Sequence, residues 1–286
     1  MSASAVRRSA AEAALPPRSA WAFSWFRKYV RRYVRKRFHA VRLSKGGFRP
    51  DAGSPPGPVV VVLNHPSWWD PMIGLVLSEC WPGRAMFAPM DASALLRYRF
   101  FERLGFFGVE PDSPRGGLAF LRRGLAVLHD PNAVLWVTAQ GRFVDVRDRP
   151  VVLKNGVGRL AARAGAGCVL PLALEYGFWE ENTPEAFARF GPPIALDGTD
   201  PADASAWTSR IARALEATQD ALAVDVASRD PSGFESVLEG GAGVGGVYDL
   251  WRRVKAAARR ERFVARHGGR LEAGFADLGG DRPGFR

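Results

Sequence analysis

The stretch Pro58-Val-Val-Val-Val-Leu-Asn-His-Pro-Ser-Trp-Trp-Asp-Pro71 decides how this chain folds. Its first half, Val59 to Leu63, is a run of five aliphatic residues, which predicts a short strand buried on both faces. The run stops at the turn-forming Asn64. A polar cluster therefore follows the end of a buried strand, and within it His65 and Asp70 are the groups capable of proton transfer.

The spacing of His65 and Asp70 predicts a hydrogen-bonded pair. An aspartate that accepts from one ring nitrogen fixes the imidazole tautomer, and the other nitrogen is then free to take a proton from a hydroxyl. Pro66 and Pro71 stiffen the connection because proline fixes φ. The cluster holds no activated nucleophile, which favours a general base over a covalent mechanism. The alternative is a loop histidine that is paired to Asp70 only for structure.

The segment Asn64-His-Pro-Ser-Trp-Trp-Asp70 resembles the His-x4-Asp motif of the glycerolipid acyltransferases, the 1-acylglycerol-3-phosphate (lysophosphatidate) acyltransferases and their relatives. The resemblance implies that His65 and Asp70 are catalytic. It also implies that the neighbouring Asn64, Ser67 and Trp68 help to bind substrate.

A second segment, Gly105-Phe-Phe-Gly-Val-Glu110, resembles the second motif block of that family. In the family an arginine follows this strand and holds the phosphate of the acceptor, whereas Pro111 stands at that place here. The nearest downstream arginine is Arg115, at a predicted helix start where side chain and helix dipole together favour an anion. The alternative for Arg115 is an ordinary solvated helix start.

The segment Thr138-Ala-Gln-Gly-Arg142 resembles the third block, with Gln140 in place of the usual glutamate. Glutamine keeps the length and the acceptor but loses the charge, so a positioning role survives. The resemblance implies that Gln140, Gly141 and Arg142 contact substrate, with backbone donors near Gly141 stabilising an oxyanion. Basic residues from Arg142 to Lys154 suit a head group or coenzyme A phosphates, or form a solvated loop.

A strand with a proline, Cys168 to Tyr176, resembles the fourth block, and we expect it to serve packing rather than chemistry. The four blocks occur in the order that the family has.

Composition restricts the class of protein further. With 286 residues and 47% hydrophobic content, the chain can form one catalytic domain with appendages. Lys plus Arg outnumber Asp plus Glu by 40 to 29, which predicts an anionic partner such as phospholipid head groups, nucleic acid or a phosphate-bearing cofactor. The two cysteines favour a reducing compartment, and four scattered histidines without a cysteine pair argue against a metal site.

A basic stretch from Trp21 to Leu43 has apolar residues at helical spacing and no acidic residue. This pattern predicts an amphipathic helix with an aromatic face opposite a cationic one. One function is to lie in the interface of an anionic membrane, and the other is to pack its apolar stripe on the core. The interface residues would be Trp25, Phe26, Tyr29, Tyr33, Arg31, Arg32 and Arg35.

No apolar segment reaches the length of a membrane span or of a signal peptide, so we expect a cytoplasmic protein, peripheral on the inner face of the membrane. The predicted organisation is a disordered tail (1–20), a basic amphipathic membrane-interface helix (21–45), an acyltransferase domain (58–227), a Gly-rich linker (228–246) and a basic C-terminal helix with its tail (247–286).

Alternating strands and helices predict an α/β fold, a mixed, mostly parallel sheet flanked by helices, with basic amphipathic helices at both ends. The resemblance implies a glycerol-phosphate acyltransferase-like fold and acyl transfer to a lipid acceptor. The acyl donor would be acyl-CoA or acyl-ACP, the thioester of acyl carrier protein, with no bound cofactor and no nucleic acid partner. The alternatives are a non-catalytic membrane-binding protein on the same fold and a nucleic-acid-binding protein.

Overall fold

The computed structural model describes residues 15–53, 56–198 and 203–241. Its α-helices are α1 (Ala20–Arg35), α2 (Pro50–Gly53), α3 (Asp70–Leu77), α4 (Ala92–Arg97), α5 (Pro114–Leu128), α6 (Gly156–Ala161) and α7 (Ala204–Ala227). Short 3-10 helices span Ser78–Cys80, Arg99–Arg103 and Pro231–Gly233. The strands are β1 (Ala40–Ser44), β2 (Val59–Leu63), β3 (Ala85–Asp91), β4 (Phe106–Val109), β5 (Ala133–Thr138), β6 (Cys168–Gly177), β7 (Glu185–Phe190), β8 (Ile194–Ala195) and β9 (Phe234–Glu239).

These strands form one mixed sheet in the order β4-β3-β5-β2-β6-β7-β1-β9, with β8 paired to β6. The successive pairs from β4 through β3, β5 and β2 to β6 are parallel, and β1 runs parallel to β7. The antiparallel pairs are β6 with β7, β6 with β8, and β1 with β9. The predicted α/β fold with a mixed, mostly parallel sheet and flanking helices is confirmed.

Strand β2 is buried on both faces, as its unbroken run of aliphatic residues predicts. Val61 packs in a cluster that includes Val30 of α1 and Ile73 of α3. Val60 belongs to the cluster on the opposite face, with Ile211 of α7. Each fully buried side chain of this size stabilises the fold by about 1.5–3 kcal/mol relative to exposure. The centre of the sheet is therefore enclosed by a helical layer on each side.

The parallel register brings two of the motif segments to one edge of the sheet. Leu63, the last residue of β2, lies opposite Thr138, the last residue of β5. Because parallel strands end at the same edge, the loop that begins at Asn64 lies beside the loop that contains Gln140. Strand β6 pairs with β2 as far as Leu63 and then continues to Gly177, so its last residues flank the same loops.

The predicted helix over Trp21 to Leu43 is too long. Helix α1 ends at Arg35, and residues Ala40–Ser44 form β1, which pairs with β7 and β9. Phe38 and Val41 are buried beyond the helix end. A short apolar segment satisfies helical and strand spacing equally well, and here the unsatisfied edges of β7 and β9 decide between them.

The predicted Gly-rich linker over 228–246 is also wrong in its first part. Phe234–Glu239 is β9, which buries Phe234 and Leu238 and hydrogen-bonds to β1. The predicted disordered tail over 1–20 is wrong at its end, since Arg18 bridges to Leu104 and Ser19 caps α1. Residues 1–14 of that tail, and the predicted C-terminal basic helix within 247–286, lie outside the described residues.

Candidate active site

His65 and Asp70 form the pair that their spacing predicts. His65 Nδ1 lies 2.6 Å from Asp70 Oδ2. The Asp70 side chain is 0% exposed, at the first residue of α3. Its Oδ2 also accepts from the Ser67 N–H at 3.1 Å, and its Oδ1 accepts from the Tyr176 hydroxyl at 2.6 Å. The carboxyl group is therefore held by donors on both oxygens.

These contacts determine the tautomer of His65. Since Asp70 accepts hydrogen bonds at both oxygens, the proton of the neutral imidazole belongs on Nδ1. Nε2 then carries the lone pair, and His65 lines a cleft beside the carboxyl ends of the central strands. A partly exposed imidazole in this tautomer can take a proton from a hydroxyl group in the cleft.

Tyr176 belongs to this site, although its strand was expected to serve packing rather than chemistry. It lies on the part of β6 that continues beyond the end of β2, which places its hydroxyl beside Asp70. Burial, and then the neighbouring carboxyl group of Asp70, raise the pKa of Tyr176 well above its usual value. The hydroxyl therefore remains a donor. A tyrosine among the aliphatic residues of a buried strand is the signal that identifies it.

The third-block loop holds the backbone of His65. The His65 N–H donates to Gln140 Oε1 at 2.8 Å, and the His65 carbonyl accepts from the Val144 N–H at 3.0 Å. The ring of Phe143 packs against the imidazole, with 4.4 Å between the ring centroids. Gln140 is buried and supplies the acceptor that this contact requires, without a charge. It positions the histidine through the main chain.

Gly141 adopts a left-handed backbone conformation with φ of +67°, which favours glycine. A Cβ at this position would collide with the side chain of Lys154, so the glycine also leaves space for that lysine. The Gly141 N–H donates to the Thr138 carbonyl at 3.1 Å and is engaged there. The expected oxyanion donor is therefore not Gly141 itself. The cation beside Gly141 is Lys154, whose Nζ lies 2.7 Å from Asp112 Oδ1.

The cleft beside His65 has a volume of about 680 Å³ and predominantly apolar walls. Its larger apolar side chains come from both sides of the sheet and include Phe23, Leu75, Met86, Leu104, Phe106 and Phe120. This volume lies in the range of small-molecule sites, which are typically apolar with a few polar groups. The cleft suits a hydrocarbon chain whose polar end lies next to His65.

The residues after β4 give this cleft acidic rather than basic groups. Glu110, Pro111 and Asp112 all line it. Arg115 is exposed on the first turn of α5 and is not among the lining residues, so the structure does not bring it to the cleft. Arg142 does line the cleft, where it is exposed. Residues 110–112 therefore bring no basic side chain to the cleft.

The three neighbours of the dyad that the resemblance assigns to substrate binding do not line the cleft. Asn64 is buried, and its amide both donates to the Leu174 carbonyl at 2.9 Å and accepts from the Leu174 N–H at 2.7 Å. These hydrogen bonds connect the end of β2 to β6, so Asn64 has a structural role instead of the expected contact with substrate. Ser67 Oγ accepts from the Trp69 N–H at 3.2 Å, and Trp68 is exposed.

Helix α1 differs from the predicted division into an aromatic and a cationic face. Its core-facing side holds Phe23, Val30 and Val34. Trp25 and Tyr29 are instead exposed, together with Lys28, Arg32 and Arg35. Phe26 and Tyr33 are partly buried, and Arg31 is paired with Glu79. The helix thus packs on the core with its aliphatic side and presents aromatic and basic residues together to solvent.

Within residues 15–53, 56–198 and 203–241, no cluster of three or more His, Cys, Asp or Glu residues is suited to hold a metal ion. None of the helices in these ranges has the length and apolar character needed to cross a membrane.

No protein-family model matches this chain, and a search of curated proteins gives no significant match.

Proposed function

We propose that this protein transfers a fatty acyl group from an acyl thioester, of coenzyme A or of acyl carrier protein, to the hydroxyl of a lipid acceptor. The observation that carries the proposal is the His65–Asp70 contact of 2.6 Å at the wall of an apolar cleft of about 680 Å³. The order of the four motif segments, which resembles that of the glycerolipid acyltransferases, supports the same reaction and a glycerol-phosphate acyltransferase-like fold.

In the proposed mechanism Nε2 of His65 accepts the proton of the acceptor hydroxyl while the hydroxyl oxygen attacks the thioester carbonyl. A C–O bond forms, the C–S bond breaks, and the leaving thiolate takes the proton back from the imidazolium. Asp70 keeps the tautomer and stabilises the imidazolium, as the buried aspartate of hydrolytic triads does. A positioned general base contributes on the order of 10²–10⁴-fold to the rate. Transfer is direct, so the enzyme forms no acyl intermediate.

The walls of the cleft suit the acyl chain, and the cations at its rim suit the donor. Lys154 and Arg142 line the same cleft as His65, and a smaller cavity of about 140 Å³ adjoins both residues. Basic groups at this place favour the phosphates of coenzyme A or of the carrier's phosphopantetheine.

The acceptor that this site favours is a lipid hydroxyl without an adjacent phosphate monoester. Glu110 lines the cleft where the family has a phosphate-binding arginine, and its carboxylate repels a phosphate, whereas Asp112 is paired with Lys154. Loss of one charge-assisted contact of ~2 kcal/mol changes the preference by roughly thirtyfold. We expect 1-acylglycerol-3-phosphate to be a poor acceptor beside a neutral lipid alcohol, in a competition for one labelled thioester. Preference for lysophosphatidate would contradict this assignment.

Helix α1 is proposed to hold the enzyme on an anionic bilayer, on the inner face of the cytoplasmic membrane. Trp25, Tyr29, Arg32 and Arg35 are exposed along it. Aromatic residues favour the interface, and each cation near an anionic surface contributes about 1 kcal/mol.

Release of free thiol from acyl-CoA, measured with lipid alcohols as acceptors, tests the reaction. His65→Ala should lower the rate on the order of 10²-fold or more. His129→Ala, at an exposed histidine where α5 ends, is the matched control and should keep the wild-type rate. Equal rates in the two variants would refute the mechanism. Lipid binding without thioester consumption in the wild type would indicate a non-catalytic membrane-binding protein.

A further inference from the structure

We infer that Leu96–Phe100, which includes the end of α4 and the start of the 3-10 helix after it, is a second membrane-contact segment that forms one bilayer-binding surface with α1 and the loop of His65. This inference rests on the proposed attachment of α1 to an anionic bilayer and extends it to a segment that the sequence patterns did not single out.

The segment exposes apolar side chains that the fold does not cover. Leu96 is 73% exposed, Tyr98 53% and Phe100 41%. Arg97 and Arg99 alternate with them and are exposed as well. Single exposed apolar residues are common, but a run of five exposed residues that alternates apolar and basic side chains is typical of a contact surface. Aromatic and aliphatic side chains beside arginines match the chemistry of a membrane interface.

Ring contacts connect this segment to α1. The Phe100 ring lies 6.3 Å from Trp25 and 5.7 Å from Phe26, between centroids. From Trp25 the contacts continue to Tyr29 at 6.3 Å and from Tyr29 to Tyr33 at 6.3 Å. The aromatic residues of two separate chain segments therefore form one continuous surface.

The same series of rings reaches the loop of the dyad. Tyr33 lies 5.7 Å from Trp69, and Trp69 lies 5.5 Å from the exposed Trp68. We call Phe100, Trp25, Tyr29, Tyr33, Trp69 and Trp68 the aromatic ridge. Both tryptophans at its end lie between His65 and Asp70 in sequence. A bilayer on the aromatic ridge would therefore lie next to the loop that carries out the proposed chemistry.

The charge on this surface selects an anionic bilayer as the occupant. Lys28 and Arg32 are exposed on the same helix as Trp25, and Arg97 and Arg99 are exposed beside Phe100. Arg99 Nε lies 3.8 Å from Glu102 Oε1, an ion pair at the edge of this surface. Basic residues that flank exposed aromatic rings attract anionic head groups while the rings enter the interface.

The position of the aromatic ridge also explains how lipid would reach the cleft. Phe23 of α1 lines the cleft, as do Leu104 and Phe106, which follow the exposed segment after the rest of its 3-10 helix. The two elements that would contact the bilayer thus continue into the cleft walls. A lipid acceptor would pass from the bilayer to His65 without leaving apolar surroundings.

The test is sedimentation of the full chain with vesicles of phosphatidylglycerol and phosphatidylcholine. Leu96→Ser with Tyr98→Ser is the test variant. Phe178→Ser with Val224→Ser is the control, because these residues are 60% and 71% exposed and belong neither to Leu96–Phe100 nor to the aromatic ridge. We expect the test variant to bind about tenfold more weakly than wild type, equivalent to ~1.4 kcal/mol. The control should bind like wild type, and circular dichroism should show both variants folded.

A variant of α1, Trp21→Ser with Trp25→Ser, separates this inference from the proposed attachment. If the α1 variant loses binding and the Leu96/Tyr98 variant does not, the segment makes no membrane contact and the attachment of α1 remains. If both bind like wild type, both proposals fail. Loss of an oligonucleotide shift without loss of vesicle binding, or dissociation of a dimer by the Leu96/Tyr98 variant, would assign the segment to nucleic acid or to a second copy and overturn the inference.

Discussion

Replacing Tyr176 by phenylalanine removes one hydroxyl group and leaves the ring in place. That hydroxyl donates to Asp70 Oδ1 at 2.6 Å, and the Asp70 side chain is fully buried. Water therefore cannot reach Oδ1 without a rearrangement of the site. A hydrogen bond to a charged group contributes about 1.5–3 kcal/mol, and a buried acceptor that loses its donor also loses the compensation for its desolvation. We expect Tyr176→Phe to lower the free energy of unfolding by this amount.

The loss should be visible in both stability and rate. For a domain of this size, 1 kcal/mol lowers Tm by about 2–4 °C, so the expected decrease is ~3–12 °C. Asp70 would keep its contacts with His65 and Ser67 but lose the one at Oδ1 that fixes its orientation. Because the imidazolium is charged only along the reaction, kcat should fall about tenfold or more while KM changes little.

Thermal unfolding and the thiol-release assay measure the two effects. Tyr29→Phe, at a half-exposed tyrosine of α1, is the control for loss of a hydroxyl at the surface and should leave Tm unchanged. A Tyr176→Phe protein with the Tm and kcat of wild type would refute the positioning role. Lower Tm with unchanged kcat would limit Tyr176 to stability.

Three further predictions follow from individual side chains. Gln140→Glu should keep the acceptor for the His65 N–H and retain the thiol-release activity. Gln140→Leu should lower the free energy of unfolding by about 1–3 kcal/mol and remove most of that activity. Equal behaviour of the two variants would contradict this role of Gln140. Burial raises the pKa of Glu175, so the carboxyl group loses its proton at lower pH in the unfolded chain than in the folded protein. The contribution of Glu175 to the free energy of unfolding therefore falls as pH rises above about 4.3. Glu175→Gln should therefore raise Tm at pH 7 more than at pH 4, and the same change at both pH values would disprove it. Burial raises the pKa of Cys80 to about 12 and of Cys168 to about 11, so native protein at pH 8 should react with a thiol reagent far more slowly than unfolded protein; fast labelling of the native state would disagree.

Local patterns determined the elements whose contacts are repetitive or close in sequence. The aliphatic run of β2 specified a strand buried on both faces, because no alternation of polar residues allows either face to meet water. The sequence pattern also predicts a helix over Ala204 to Ala227, and α7 has these bounds because Asp203 caps its first turn. The contact of His65 with Asp70 was also predictable, because five positions of a proline-stiffened turn restrict where the two side chains can point.

Contacts between segments distant in sequence decided the other elements of the fold and the partners of the dyad. Strand β9 forms only because β1 offers it an edge, and β1 is a strand rather than a helical extension for the same reason. The side chains that hydrogen-bond to the dyad come from distant parts of the chain, since the donor Tyr176 is 106 residues from Asp70 and the acceptor Gln140 is 75 residues from His65. The hydrophobic periodicity of a segment indicates which of its faces is buried, but not which other segment packs or pairs with it. The sequence alone therefore determined the β2 strand, α7 and the His65–Asp70 pair, whereas the tertiary structure decided which groups hold that pair and that the cleft beside it is apolar.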